Sequence, residues 1–112
     1  MIDEDLYALL ATVAPTAPAT APDGTTVPYC VYTRVLSTPQ NVLEQPPGLW
    51  HIQFEVNVYA SSYADARALA GTVKDALFGA AFGGYVTGDR DLWDGVVKLY
   101  RVAIQFEVFA AA

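Results

Sequence analysis

Cysteine, histidine and basic side chains are all scarce in this chain. Cys30 is the only cysteine and His51 the only histidine. One thiol cannot form an internal disulfide, and thiol-rich metal sites are excluded. A lone histidine also lacks the partners that a zinc site needs. Six Lys and Arg stand against twelve Asp and Glu, a formal net charge of −6 with a pI of about 4.4. A protein that grips phosphates clusters its cations. Here Arg34, Arg67, Lys74, Arg90, Lys98 and Arg101 are scattered. That argues against tight nucleic-acid binding, yet such a surface tolerates DNA sliding past. No apolar run reaches the ~18 residues of a membrane span, so no membrane partner is expected. Asp3, Glu4 and Asp5 are opposite in sign to a signal peptide's basic start, and folding in a cytoplasm is the expectation.

Charge as a whole is thin. Charged residues are 16% of the chain and hydrophobic ones 54%, where about 25% charged is usual. The 112 residues suffice for a single domain, 1–112, with a real core. Apolar side chains left over from that core argue for subunit contacts.

What the chain does contain is a repeated pentapeptide, Ile-Gln-Phe-Glu-Val, at 52–56 and again at 104–108. Around the first copy, Ile52, Phe54, Val56 and Val58 alternate with Gln53, Glu55 and Asn57. Around the second, Val102, Ile104, Phe106 and Val108 alternate with Arg101, Gln105, Glu107 and Phe109. Period two, with one dry and one wet face, predicts strands at 49–60 and 98–110 of an antiparallel sheet. If they are neighbours, their large apolar side chains pack side by side. Duplication is the rival explanation, but the flanks "LWH" and "YRVA" do not match.

Residues 29–37, rich in β-branched and aromatic types, predict a further strand. Residues 85–97 are ambiguous: Tyr85 and Val86 read as the start of a short strand, and Gly88 to Gly95 as turn-rich. Helices are predicted at 2–13, where Ile2, Leu6, Leu9, Leu10 and Val13 share a face, and at 61–79. The second carries an apolar stripe of Ala66, Leu69, Ala70, Val73 and Leu77, with Ser61 or Ser62 as its cap. Between these lie a Pro-rich connector at 14–28 and a Pro-rich loop at 38–48. The connector is either an extended surface loop or an arm lying on a neighbouring subunit. Val42 and Leu43 in the loop either fold back on the core or form a contact patch. The order of elements implies an α+β fold: an antiparallel sheet of about four strands with two helices packed on one face.

Candidate chemistry is sparse. His51 shares the wet face with Gln53 and Glu55 and reads as ordinary surface. Asp89, Asp91, Asp94 and Gly95 suggest a calcium loop, but their spacing departs from the EF-hand pattern, so a solvated turn is the better reading. Trp93 reads as the anchor of that turn against the core or a partner. Glu55 and Glu107 would face each other across paired strands, which can raise one pKa, but on an open face rather than in a cleft. Cys30 has no histidine partner to activate it. Catalytic, cofactor-binding and metal-binding residues are therefore all predicted to be none. That scarcity favours a structural or binding role, with a small ligand-binding α+β domain as the alternative from a different class.

Four stretches resemble one known family. They are "LYALLA" at 6–11, "AP.GT..PY.VYTRV" from Ala21 to Val35, "FEVNVYASSYADARALAGTVKDAL" at 54–77, and "DLWDG…KLYRVAIQFEVF" from Asp91 to Phe109. Together they are similar to the tail completion, or tail terminator, proteins of long-tailed phages, small head–tail joining proteins also found in prophages and related particles. The third stretch is the most specific. The proline-rich stretch 14–22 departs from the family pattern.

The resemblance implies a virion structural protein of the neck, made in the host bacterial cytoplasm. It implies a ring, typically of six subunits, at the head-proximal end of the tail tube. Such a ring ends tube growth and docks to the head connector, while DNA passes through without specific binding. Its partners are then further copies of itself, the tail tube protein and the connector or stopper protein. Another neck protein, such as a connector or stopper, is the nearest alternative. A ring needs two different contact surfaces per subunit. Candidates are Pro15, Pro18 and Pro22 of the arm, Val42 and Leu43 of the loop, and Trp93. The wet-face residues Gln53, Glu55, Gln105 and Glu107 either line the bore or face outward solvent.

Overall fold

The two copies of the pentapeptide lie side by side at the centre of the sheet. In the computed structural model, which describes residues 2–18, 27–39, 49–95 and 98–111, seven elements follow in order. They are α1 (Ile2–Ala11), β1 (Thr16–Pro18), β2 (Tyr29–Pro39), β3 (Leu49–Ala60), α2 (Tyr63–Phe78), β4 (Tyr85–Asp94) and β5 (Leu99–Ala111). The strands form one sheet in the order β1-β2-β3-β5-β4. β1 runs parallel to β2, and the other pairings are antiparallel.

β3 and β5 pair with Phe54 opposite Phe106. That register sets Ile52 against Val108, Gln53 against Glu107, Glu55 against Gln105 and Val56 against Ile104. An antiparallel pair has a local two-fold axis normal to the sheet. Here it superposes one pentapeptide on the other. Both flanking strands break register at the same level: β2 between Arg34 and Leu36, opposite Phe54 and Gln53, and β4 between Val86 and Gly88, opposite Phe106 and Gln105. Each break is a bulge that adds twist and re-aims the following side chain. Leu36 thereby moves to the same face as Gln53.

The dry face carries the core. Ile52, Phe54, Val56 and Val58 of β3 and Val102, Ile104, Phe106 and Val108 of β5 are buried in one cluster with Ile2, Leu6 and Leu10 of α1 and Ala66, Ala70, Val73 and Leu77 of α2. The alanines of α2 let its backbone approach the sheet, and the larger strand residues fill the space. Ser62 caps α2 by accepting a bond from the Asp65 N–H, and Gly79 closes its far end. α1 is tied down at its polar rim as well: Arg34 of β2 pairs with Asp3 and lies 5.7 Å from the Phe54 ring centre. No described helix is long and apolar enough to cross a membrane.

Three expectations need correction. The sheet has five strands and is mixed, rather than about four and antiparallel. The added strand is β1, inside the predicted connector. Pro15 and Pro18 tolerate it because an edge strand leaves one side of its backbone unpaired. The stretch Gly88 to Gly95 is no turn: as far as Asp94 it belongs to the continuous strand β4, because pairing with β5 overrides weak local propensity. Finally, Glu55 and Glu107 do not oppose each other; each carboxylate faces a carboxamide instead. Pro22, Val42 and Leu43 lie outside the described residues.

Candidate functional site

The wet face of the central pair is polar at its middle. Gln53, Glu55, Gln105 and Glu107 all lie on it, flanking the local axis in two related pairs. They line a depression of about 80 Å3 together with Phe54, Phe106 and the bulge residues Val35 and Thr87. Its wall is thus four pairs of positions related by the same axis. Alternating carboxylate with carboxamide across the strands keeps like charges from standing directly opposite. The Nδ2 of Asn57 donates to Glu55 Oε1 at 3.1 Å.

His51 is not ordinary surface. Its ring stacks on Phe109 at 4.8 Å, and Nε2 lies 2.8 Å from Glu107 Oε1. Nε2 nevertheless makes no hydrogen bond of good geometry. The stack and the nearby carboxylate keep the ring half-buried on the sheet.

The β4 edge carries a second polar construction, on the helix-bearing face. Arg67 of α2 reaches Asp91 at 3.1 Å and Asp89 at 3.4 Å, and Lys74 reaches Asp89 at 2.5 Å. Tyr63 donates to Asp91 Oδ2 at 2.9 Å. The bond from Lys74 holds the Asp89 carboxyl below its ordinary range, helped by Arg67 against a smaller opposing effect of burial. These aspartates latch the edge strand to the helix and are not part of a calcium loop. Among the described residues, no group of three or more His, Cys, Asp or Glu side chains is placed to hold a metal. The latch had a sequence signal. Arg67 and Lys74 are seven apart, so they share one flank of a helix, and Asp89 and Asp91 are two apart, so they share one face of a strand.

Beside the latch lies an aromatic triad. Trp93 packs edge-on against Tyr100 at 4.9 Å, and Tyr63 against Tyr100 at 6.1 Å. Trp93 is 57% exposed, Tyr63 50% and Tyr100 37%. Trp93 therefore rests on its neighbours rather than on the core. Sequence reading singled out Trp93 but missed both tyrosines, which lie far from each other in the chain. On the opposite edge, Pro15 and Pro18 are exposed.

Two further grooves are lined by described residues. One, of about 470 Å3, lies between α2 and the Val27–Pro28 segment, with Asp65 as the only titratable wall residue among those described. The other, of about 600 Å3, lies between α1 and the segment after α2, with Asp5 in the same position. Neither brings together two titratable groups from the described residues. Cys30 is fully buried, and burial pushes its thiol up to about 12.

A family model for the tail completion protein gp17 matches residues 3–111. The chain belongs to the tail completion protein gp17 family. As a member it is a structural component of a phage-type tail or neck, and its place is the virion. Among solved structures, it is similar to a chain of the virion of a native gene transfer agent particle. That likeness has a TM-score of 0.63 at 18% identity and covers 96% of this chain and 84% of the other. It shows a shared fold. A search of curated proteins gives no significant match.

Proposed function

We propose that this tail completion protein forms a ring, of six subunits, at the head-proximal end of the tail tube. The ring ends tube growth and then docks to the head connector or stopper protein, and DNA passes through its bore without specific binding. The observation that carries this reading is the family match over 3–111. The surface supports it. Among the described residues, nine large hydrophobic side chains are exposed, Trp93, Phe78 and Phe109 included, apolar surface available for subunit contacts. The grooves lack convergent reactive groups among the described residues, which disfavours an enzyme or ligand-binding module.

Within that ring, Gln53, Glu55, Gln105 and Glu107 are candidates for the bore lining, where two carboxylates discourage DNA from sticking. Outward solvent is the rival placement. Glu55→Lys with Glu107→Lys separates them: slowed DNA ejection from otherwise normal particles supports the bore, and unchanged ejection supports solvent.

The decisive experiment removes the chain from the particle. A terminator's loss leaves tails overlong or unjoined to heads. A stopper's loss leaves tails of normal length and heads that leak DNA. Native mass measurement of the protein with and without its tube protein gives the subunit number. Particles complete at the neck without this chain would sink the reading.

A further inference from the structure

The two edges of the sheet are both closed to strand addition, and they carry complementary side chains. β1 has three residues, begins beside Pro15 and ends in Pro18. Proline has no N–H to offer a ladder, so this edge cannot extend the sheet. β4 is longer but bulged beside Thr87 and lined with Asp89, Arg90, Asp91 and Asp94. Bulges and charges are the usual protection of an exposed edge. A second copy meeting either edge therefore has to be held by side chains.

The β4 edge offers the Tyr63–Trp93–Tyr100 triad, all three more than a third exposed. That amounts to roughly 300 Å2 of aromatic surface, taking about half of each ring as open. Paired edge to face, the rings are held in place before any partner arrives. Proline rings are rigid and apolar, and they pack on aromatic faces at little entropic cost. The β1 edge presents Pro15 and Pro18, both exposed.

We propose that the β1 edge of one copy, through Pro15 and Pro18, packs on the Tyr63–Trp93–Tyr100 triad of the next copy. This contact rests on the ring reading above and supplies its two unlike surfaces. β1 and β4 are the first and last strands of the five-stranded order, roughly 19 Å apart at ~4.8 Å per strand. Edges that far apart cannot meet within one chain. They can meet between chains, head to tail, which is the arrangement that closes into a ring.

The test is disulfide trapping in the presence of the tail tube protein. One chain carries Pro15→Cys and the other Gly95→Cys, beside Trp93, both in a Cys30→Ala background, or Cys30→Val if the alanine variant does not fold. The two chains are mixed and mildly oxidised. The expected result is a mixed dimer at least tenfold more abundant than either like-with-like dimer. Adding Trp93→Ala to the Gly95→Cys chain should lower that yield tenfold, and Trp93→Phe should restore most of it. Mixed dimers no more abundant than like-with-like ones, or a yield indifferent to Trp93→Ala, overturn the contact. If rings form on the tube but do not cross-link, this contact fails and the functional reading stands. If no ring forms at all, the functional reading fails with it.

Discussion

The two faces of the β3–β5 pair come from the same repeated pentapeptide and obey opposite rules. On the helix-bearing face, Phe54, Phe106, Val56 and Ile104 are at most 1% exposed and locked among helix side chains. On the other face, Gln53, Glu55, Gln105 and Glu107 form a polar patch whose depression holds only about 80 Å3. One face makes the fold, and the other stays polar and partly open to solvent. A single amphipathic pentapeptide, paired with its own copy about a two-fold axis, writes both faces at once.

The sharpest way to break the contrast is to shorten one residue on each face. Phe106→Ala removes a buried ring and should cost about 3–5 kcal/mol in urea unfolding. Gln105→Ala, next to it in sequence but exposed, should change stability by less than about 0.5 kcal/mol. Equal effects from the two would sink the distinction.

A second test approaches the same ring from outside. Gly84 has φ +91°, and a Cβ there would lie 2.5 Å from Phe106 Cζ and 2.8 Å from the Glu107 carbonyl oxygen. Gly84→Ala should therefore destabilise by about 1–3 kcal/mol, through strain and displacement of Phe106. A Cβ at Gly71 would meet nothing within 4 Å. Gly71→Ala on the helix should be neutral or stabilising, by up to about 1 kcal/mol. Thermal unfolding of the two variants side by side reads both.

On the wet face the relevant term is charge. Gln105→Glu would place a carboxylate directly opposite Glu55. The expected cost is about 0.2–1 kcal/mol at neutral pH, disappearing as the carboxylates protonate. A pH series of unfolding midpoints reads it directly.

The smallest effect belongs to the latch at the β4 edge. The folded-state pKa of Asp89 is depressed by Lys74. Its ion pairs thus stabilise the fold fully above the unfolded carboxylate pKa of ~3.9 and lose that contribution as pH falls through the lower folded value. For a largely surface pair this is on the order of a few tenths of a kcal/mol. Asp89→Asn should lower the neutral plateau by that amount, leave stability at the acid end nearly as it was, and so flatten the acid limb of the curve.

Legibility followed the strength of the local pattern. β3 was readable in its bounds, because strict alternation between Ile52 and Val58 admits one period, but Asn57, read as wet, is buried. α2 was readable because Ser62, the alanine stripe and Gly79 all mark the same helix. β4 was not readable. Its register depends on hydrogen bonds to β5, a partner later in the chain, and its glycines and aspartates favour turns when taken alone. The aromatic triad was hidden for the same reason: Tyr63, Trp93 and Tyr100 come together only when helix, edge strand and β5 have docked.

Hydrophobic periodicity by itself determined which strand faces carry the core and where both helices run, because each depends on side chains a few positions apart. Only the tertiary structure decided that the two pentapeptides are partners in register, that Glu55 opposes Gln105 rather than Glu107, and that prolines and aromatics stand on opposite edges. Those are relations between segments distant in the chain, set by which strands share hydrogen bonds.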